Sequence, residues 1–144
     1  MGAWLAGLAT VAAGLFAGAA LYVTLVEHPA RTGCGPLLAV AQFRKSYPRG
    51  AALQAPLAIA GCLAAAGVWL AGGGAHWLLA GMLLGAVVPY TLVVIQPTNR
   101  RLLDPALEPD TPEAVRLLRR WGLLHAVRTL LSLVAFALML LRLR

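Results

Sequence analysis

Three polar clusters interrupt a chain that is otherwise almost wholly apolar, and their side chains are of the kinds that move protons and hold anions. The first is Glu27-His28-Pro29-Ala30-Arg31. The second is Gln96-Pro97-Thr98-Asn99-Arg100-Arg101, and the third combines Trp121, His125 and Arg128. An imidazole ordinarily titrates near pH ~6.5, so His125 suits a proton acceptor at neutral pH. Glu27 would orient that ring or take the proton itself. Arg128 and Asn99 would stabilise the oxyanion, a phenolate or enolate, left by proton loss. Trp121, Tyr22 and Tyr90 offer an apolar, aromatic wall for a hydrophobic molecule, and they equally suit anchoring at a membrane interface. Gln96 and Arg100 complete the expected substrate contacts.

Spacing supports convergence of these groups. Trp121, His125, Arg128 and Ser132 follow at intervals of four, three and four, which places them on one helix face. Thr24 and Glu27 share a face in the same way, as do Gln96 and Asn99. Glu27 and Arg128 form the natural charge pair, because breaking a buried pair costs about 3–5 kcal/mol. A purely structural reading competes, in which the same network only locks the first helix to the last. A metal at Glu27, His28 and His125 is a weaker reading, since no paired-histidine spacing occurs and His28 adjoins a proline. Haem ligation by the same histidines is weaker still, so no cofactor is expected. Catalytic triads, phosphate loops and nucleotide fingerprints do not occur.

The elements that must position these clusters are four apolar runs, over residues 3–26, 51–71, 77–95 and 122–141, with Arg128 their one charge. Each approaches the ~20 residues that a helix needs to cross a hydrocarbon core. Unpaired backbone groups are not tolerated in lipid, so each run is predicted to be helical. The expectation is an all-α, polytopic membrane protein: an antiparallel four-helix transmembrane bundle forming one domain over 1–144. The first run reads as a retained helix rather than a cleaved signal, since no Lys or Arg precedes it. Only 12% of the residues are charged, about half the share of a soluble domain. The net charge of +7 therefore lacks a soluble basic domain to hold nucleic acid, and anionic lipid headgroups explain it better. Membrane lipids and a hydrophobic small molecule are the expected partners.

The loops add detail. Leu37, Val40, Phe43 and Tyr47 fall at intervals of three and four, which predicts a short amphipathic, interfacial helix in the first loop. Gly72-Gly73-Gly74 marks a tight turn, and Thr111-Pro112 a helix start with Thr as N-cap. Gly14 and Gly18, and likewise Gly81 and Gly85, predict close helix packing, with self-association into a homo-oligomer as the alternative. Pro56 and Pro89 are expected to kink their helices. Cys34 and Cys62 are too differently placed to bridge. Lys and Arg concentrate in loops 27–50 and 96–121, against Arg142 and Arg144 on the other face. By the positive-inside rule those loops are cytoplasmic and both termini lie on the opposite side.

Taken together, the clusters resemble the anthrone-oxygenase-like family of four-helix membrane proteins. The resemblance rests on Glu27-His28-Pro29-Ala30-Arg31, on Pro97-Thr98-Asn99-Arg100-Arg101, and on Trp121, His125, Arg128 and Thr129. It implies oxidation of polyketide anthrones to anthraquinones without a conventional cofactor. His125, Arg128 and Asn99 match the family's histidine, arginine and asparagine. The expectation is thus a small membrane oxygenase or oxidoreductase acting on a hydrophobic aromatic or quinone-like molecule. A non-enzymatic scaffold, assembly factor or lipid-binding subunit is the alternative, and a transporter comes third. A cavity bordered by Glu27, Asn99, His125 and Arg128 would favour the enzyme. A direct Glu27–Arg128 contact in a filled core would favour the scaffold.

Overall fold

The computed structural model describes residues 2–143, and the regular structure among them is helical throughout. Four long helices form: α1 Gly2–Gly33, α2 Pro36–Gly73, α3 Ala75–Leu103 and α4 Pro112–Leu140. All four are long and apolar enough to cross a membrane. Each packs on the next and α4 returns to α1, so antiparallel neighbours stand in a square. Large apolar side chains cover its outer surface; Leu25, Leu63, Leu92 and Leu130 are 65, 67, 64 and 62% exposed. So broad an apolar surface is a liability in water and belongs in lipid. The chain is a multi-pass membrane protein.

The helices outrun the apolar runs that seed them. Pro29 and Pro97 have no N–H to donate to the carbonyl four residues back, and their rings crowd the preceding turn. In both cases a π-helical turn lies just ahead, at Val23–Glu27 and Thr91–Ile95. The extra residue of such a turn relieves the clash, and α1 and α3 continue past 26 and 95. The amphipathic segment of the first loop is helical as expected, but it is not a separate short helix. It is continuous with the second span, through Pro48 and Pro56. Contacts just before Pro48 hold it: Ser46 accepts from Arg31 at 3.3 Å, and the Tyr47 hydroxyl accepts from Asn99 at 2.7 Å. At 38 residues, α2 is about 57 Å long, far more than the hydrocarbon core requires.

The interior has two layers. Towards the termini, Ala9, Ala13, Ala58, Ala65, Ala80 and Ala135 are fully buried around Phe16, Leu84 and Met139. Towards the longer loops, Phe43, Leu102, Leu107, Leu118 and Trp121 form a bulkier cluster. Small residues bring the backbones together in the first layer. A Cβ at Gly81 would lie 2.9 Å from that of Ala65, and one at Gly85 2.7 Å from the Cys62 sulfur. Gly14 faces the Phe136 ring, whereas Gly18 meets nothing within 4 Å. Cys34 and Cys62 are free thiols. Gly72 and Gly74 turn the chain between α2 and α3 at φ 88° and 92°, a region that glycine enters without steric cost.

Charged residues knit the far ends. Arg44 donates to the carbonyls of Leu102, Asp104 and Leu107, satisfying acceptors that the end of α3 leaves open. Arg101 makes a two-pronged pair with Glu113 at 2.7 and 3.1 Å and reaches Asp104 at 2.9 Å. The Ala106 N–H, and then Arg101, hold the Asp104 carboxyl below its usual range. Thr111 caps α4 by accepting from the Ala114 N–H, as the sequence predicts. Arg144, counted with Arg142 on the face of the termini, lies outside the described residues. Overpacking a tight helix contact costs about 1–3 kcal/mol. Gly81→Leu should therefore lower the thermal unfolding midpoint in detergent while Gly18→Leu should not, and equal midpoints would contradict this packing.

Candidate functional site

Between the two layers lies a cavity of about 200 Å³. It exceeds the engineered protein cavity of about 150 Å³ that holds benzene. Its walls are largely apolar, and His125, Arg128, Tyr47, Gln54, Glu27 and Gln96 supply a polar arc. Helical spacing explains the grouping. Trp121, His125, Arg128 and Ser132 are all buried along one face of α4, and the two π turns bring Glu27 and Thr91 to the same depth.

His125 is held from behind. Its Nδ1 lies 3.0 Å from the Thr24 hydroxyl and 3.4 Å from that of Thr129. Thr24 donates to the Ala20 carbonyl at 3.0 Å, and the two hydroxyls are 2.8 Å apart. Thr24 has a single proton to give. Thr129 can likewise donate to the Ala20 and His125 carbonyls, at 3.3 and 3.1 Å. With both hydroxyl protons on carbonyls, Nδ1 carries the imidazole hydrogen and donates to Thr24. Nε2 then keeps its lone pair for the cavity. The Trp121 ring stacks on the imidazole with centroids 4.7 Å apart. Glu27, expected to orient the ring, does not touch it. Two threonines perform that role.

Arg128 is the only charge of the apolar runs, and its guanidinium is buried. Nη2 donates to Gln54 at 2.7 Å, and the group lies over the Phe16 ring, 5.3 Å from its centroid. Among the described residues its Nε has no hydrogen-bond partner, and no carboxylate forms an ion pair with it. The expected Glu27–Arg128 pair is thus absent from this site. Glu27 instead pairs with Arg31 on the next turn of α1 and accepts from Gln42 at 2.9 Å. Proximity along α1 decides the matter, since i and i+4 side chains face each other. Arg31 in turn lies over Phe43 and Trp121, 5.6 Å from each ring.

Asn99 is fully buried, one layer behind the cavity lining. It accepts from the Trp121 indole at 2.8 Å, and donates to the Tyr47 hydroxyl at 2.7 Å and to Gln96 at 3.3 Å. Its amide is spent on positioning three lining residues, so it is not placed as an oxyanion donor. Tyr47 accepts from Asn99 and has its own O–H free to aim inward.

The remaining expectations divide. Trp121 and Gln96 line the cavity. Tyr22 does not; it is 57% exposed on the outer surface. Tyr90 packs in the second layer and donates to the Leu124 carbonyl at 3.3 Å. Arg100 is exposed at the end of α3. The wall is therefore made by Phe16, Tyr47 and Trp121. His28 lies beyond Trp121, with ring centroids 5.1 Å apart, and borders a separate groove beside Arg119. Among the described residues no three His, Cys, Asp or Glu side chains gather to hold a metal ion. Tyr47 and Gln54 escaped the sequence reading. They are seven residues apart, two turns on one face, a relation that shows only once α2 is continuous. Gln54 carried its own signal as a lone amide in a span.

Comparison with known proteins adds a second line of argument. The family model described as Anthrone oxygenase matches residues 43–138, a segment that holds Tyr47, Gln54, Asn99, Trp121, His125 and Arg128. Anthrone oxygenase tpcL of Aspergillus fumigatus is 33% identical over 100 residues, which is 64% of this chain and 62% of that protein. The match thus covers less than two thirds of the relative's length. No solved structure matches.

The Asn99 network makes a measurable demand. Leaving buried donors and acceptors unpaired costs about 1–3 kcal/mol. Asn99→Ala should lower stability by that amount and alter Trp121 fluorescence. An unchanged midpoint and unchanged emission would show that the amide does not bridge these groups.

Proposed function

The chain belongs to the anthrone oxygenase family, and from that premise we propose that its cavity binds a hydrophobic aromatic ketone or phenol and oxidises it with dioxygen. The observation that carries this reading is Arg128: a buried guanidinium facing an aromatic cavity with an amide, not a carboxylate, as its partner. An uncompensated charge at such depth is unfavourable and marks function. A ligand that becomes anionic there would supply the missing counter-charge.

The chemistry follows from the groups at hand. His125 Nε2 removes a proton from the carbon next to the rings of an anthrone-like ketone. Arg128 and the Tyr47 hydroxyl hold the resulting enolate oxygen. The electron-rich carbon adds dioxygen, and a proton, returned by His125, completes a hydroperoxide. Loss of the second C–H proton then expels hydroxide as the O–O bond breaks, leaving a carbonyl. One oxygen atom enters the product and the other leaves as water, so CH₂ becomes C=O with dioxygen as the oxidant. Trp121 and Phe16 would hold the ring. Glu27 and Gln96 would border its polar end.

A scaffold or lipid-binding subunit would fill this volume and join Glu27 to Arg128; the open cavity and separate partners support the enzyme instead. The basic residues of loops 27–50 and 96–121 support a cytoplasmic position for the polar end of the bundle, with both termini opposite. Protein in lipid nanodiscs, supplied with anthrone under isotopically heavy dioxygen, should form labelled anthraquinone. Removing the base or one oxyanion donor commonly costs about a hundredfold or more. His125→Ala and Arg128→Gln should each fall by that much, and full turnover by His125→Ala would overturn the assignment.

A further inference from the structure

We propose that the cavity is filled from the bilayer, through a lateral mouth between α2 and α3. The inference rests on the reading of the cavity as a site for a hydrophobic aromatic molecule. On the side of the termini the seam between these helices is tight, with Gly81 and Gly85 against Ala65 and Cys62. Farther along, both helices border the cavity. Pro56, Pro89 and the π turn Thr91–Ile95 lie on this stretch. There α2 presents Gly50, Ala51 and Ala55 and α3 presents Val88 and Leu92, and all five line the cavity. Ala55 and Leu92 are also exposed on the outer surface, so the same side chains border the cavity and the lipid. A Cβ on Gly50 would meet nothing within 4 Å.

At the polar end, hydrogen bonds from Arg31 to Ser46 and from Gln42 to Glu27 tie α1 to α2. Energetics favour the lateral route. A fused-ring molecule partitions into the hydrocarbon core, and returning it to water exposes apolar area at about 25 cal/mol per Å². A mouth level with the core avoids that step. Small side chains on α2 keep it open where a leucine would plug it.

The test uses a small aryl diazirine dissolved in the vesicles that hold the protein, with photolysis and peptide mass spectrometry. The probe carries no ionisable group, so its entry is independent of the chemistry at His125 and Arg128. A His125→Ala protein inert towards anthrone should still be labelled at Phe16 and Ala58. Wild-type protein should be labelled at both, and at lipid-facing Leu63. Ala55→Trp should lose the label at Phe16 and Ala58 while keeping it at Leu63. Gly50→Trp, which enters open space, gives a second variant should the first not fold. No label at Phe16 and Ala58 in the wild type, or undiminished label there in the plugged variants, would refute the lateral mouth.

Discussion

A guanidinium inside a membrane-spanning bundle must be answered by something, and around Arg128 the answer is an amide, an aromatic face and a cavity. The Gln54 oxygen takes one N–H, and the Phe16 ring offers its electron-rich face. Neither cancels a full charge. The helices around it are arranged to accommodate this. Alanine and glycine draw them tight on the side of the termini. Pro56, Pro89 and the π turns lie just beyond, at the level of the cavity. The strain of carrying an unpaired cation is offset by the alanine-rich packing below and by the ion pairs and capped carbonyls of the loops above.

The polar groups around the cavity act at two depths. Lining the cavity are His125, Tyr47 and Arg128, each able to touch a bound molecule. Thr24, Thr129 and Asn99 stand behind them and Gln54 beside Arg128, and all four fix the direction of those groups through hydrogen bonds. Such preorganisation matters because a base or an oxyanion donor works only within a narrow range of distance and angle. Glu27 and Arg31 form a third group, paired with each other at the polar end, with the Arg31 guanidinium over Phe43 and Trp121.

Much of this was legible in the amino-acid order. Apolar runs gave the four spans, and the spacing of Trp121, His125 and Arg128 gave one inward face. Thr111 started its helix and the glycine turn ended another as capping and turn chemistry require. The failures share a cause: two side chains on different helices cannot be matched by type alone. Glu27 and Arg128 look like partners because they are opposite charges in scarce supply, yet Arg31 is one turn from Glu27 and prevails. Asn99 looks like a donor to substrate because nothing in the sequence reveals that Trp121 and Tyr47 claim it. Tyr47 and Gln54 were assigned to different elements, the short loop helix and the second span, which form one continuous helix.

The central claim, that the cavity offers Arg128 as counter-charge to an aromatic anion, is tested most directly by a pair of shape-matched ligands. An acidic nitrophenol, ionised at neutral pH, and its methyl ether differ mainly in charge. Their affinities can be measured by calorimetry with the protein in nanodiscs, for wild type and for Arg128→Met. Wild-type protein should prefer the phenolate, and the preference should vanish in the variant while the ether still binds. Equal affinity for both ligands in the wild type, or a preference that survives loss of the guanidinium, would contradict the account.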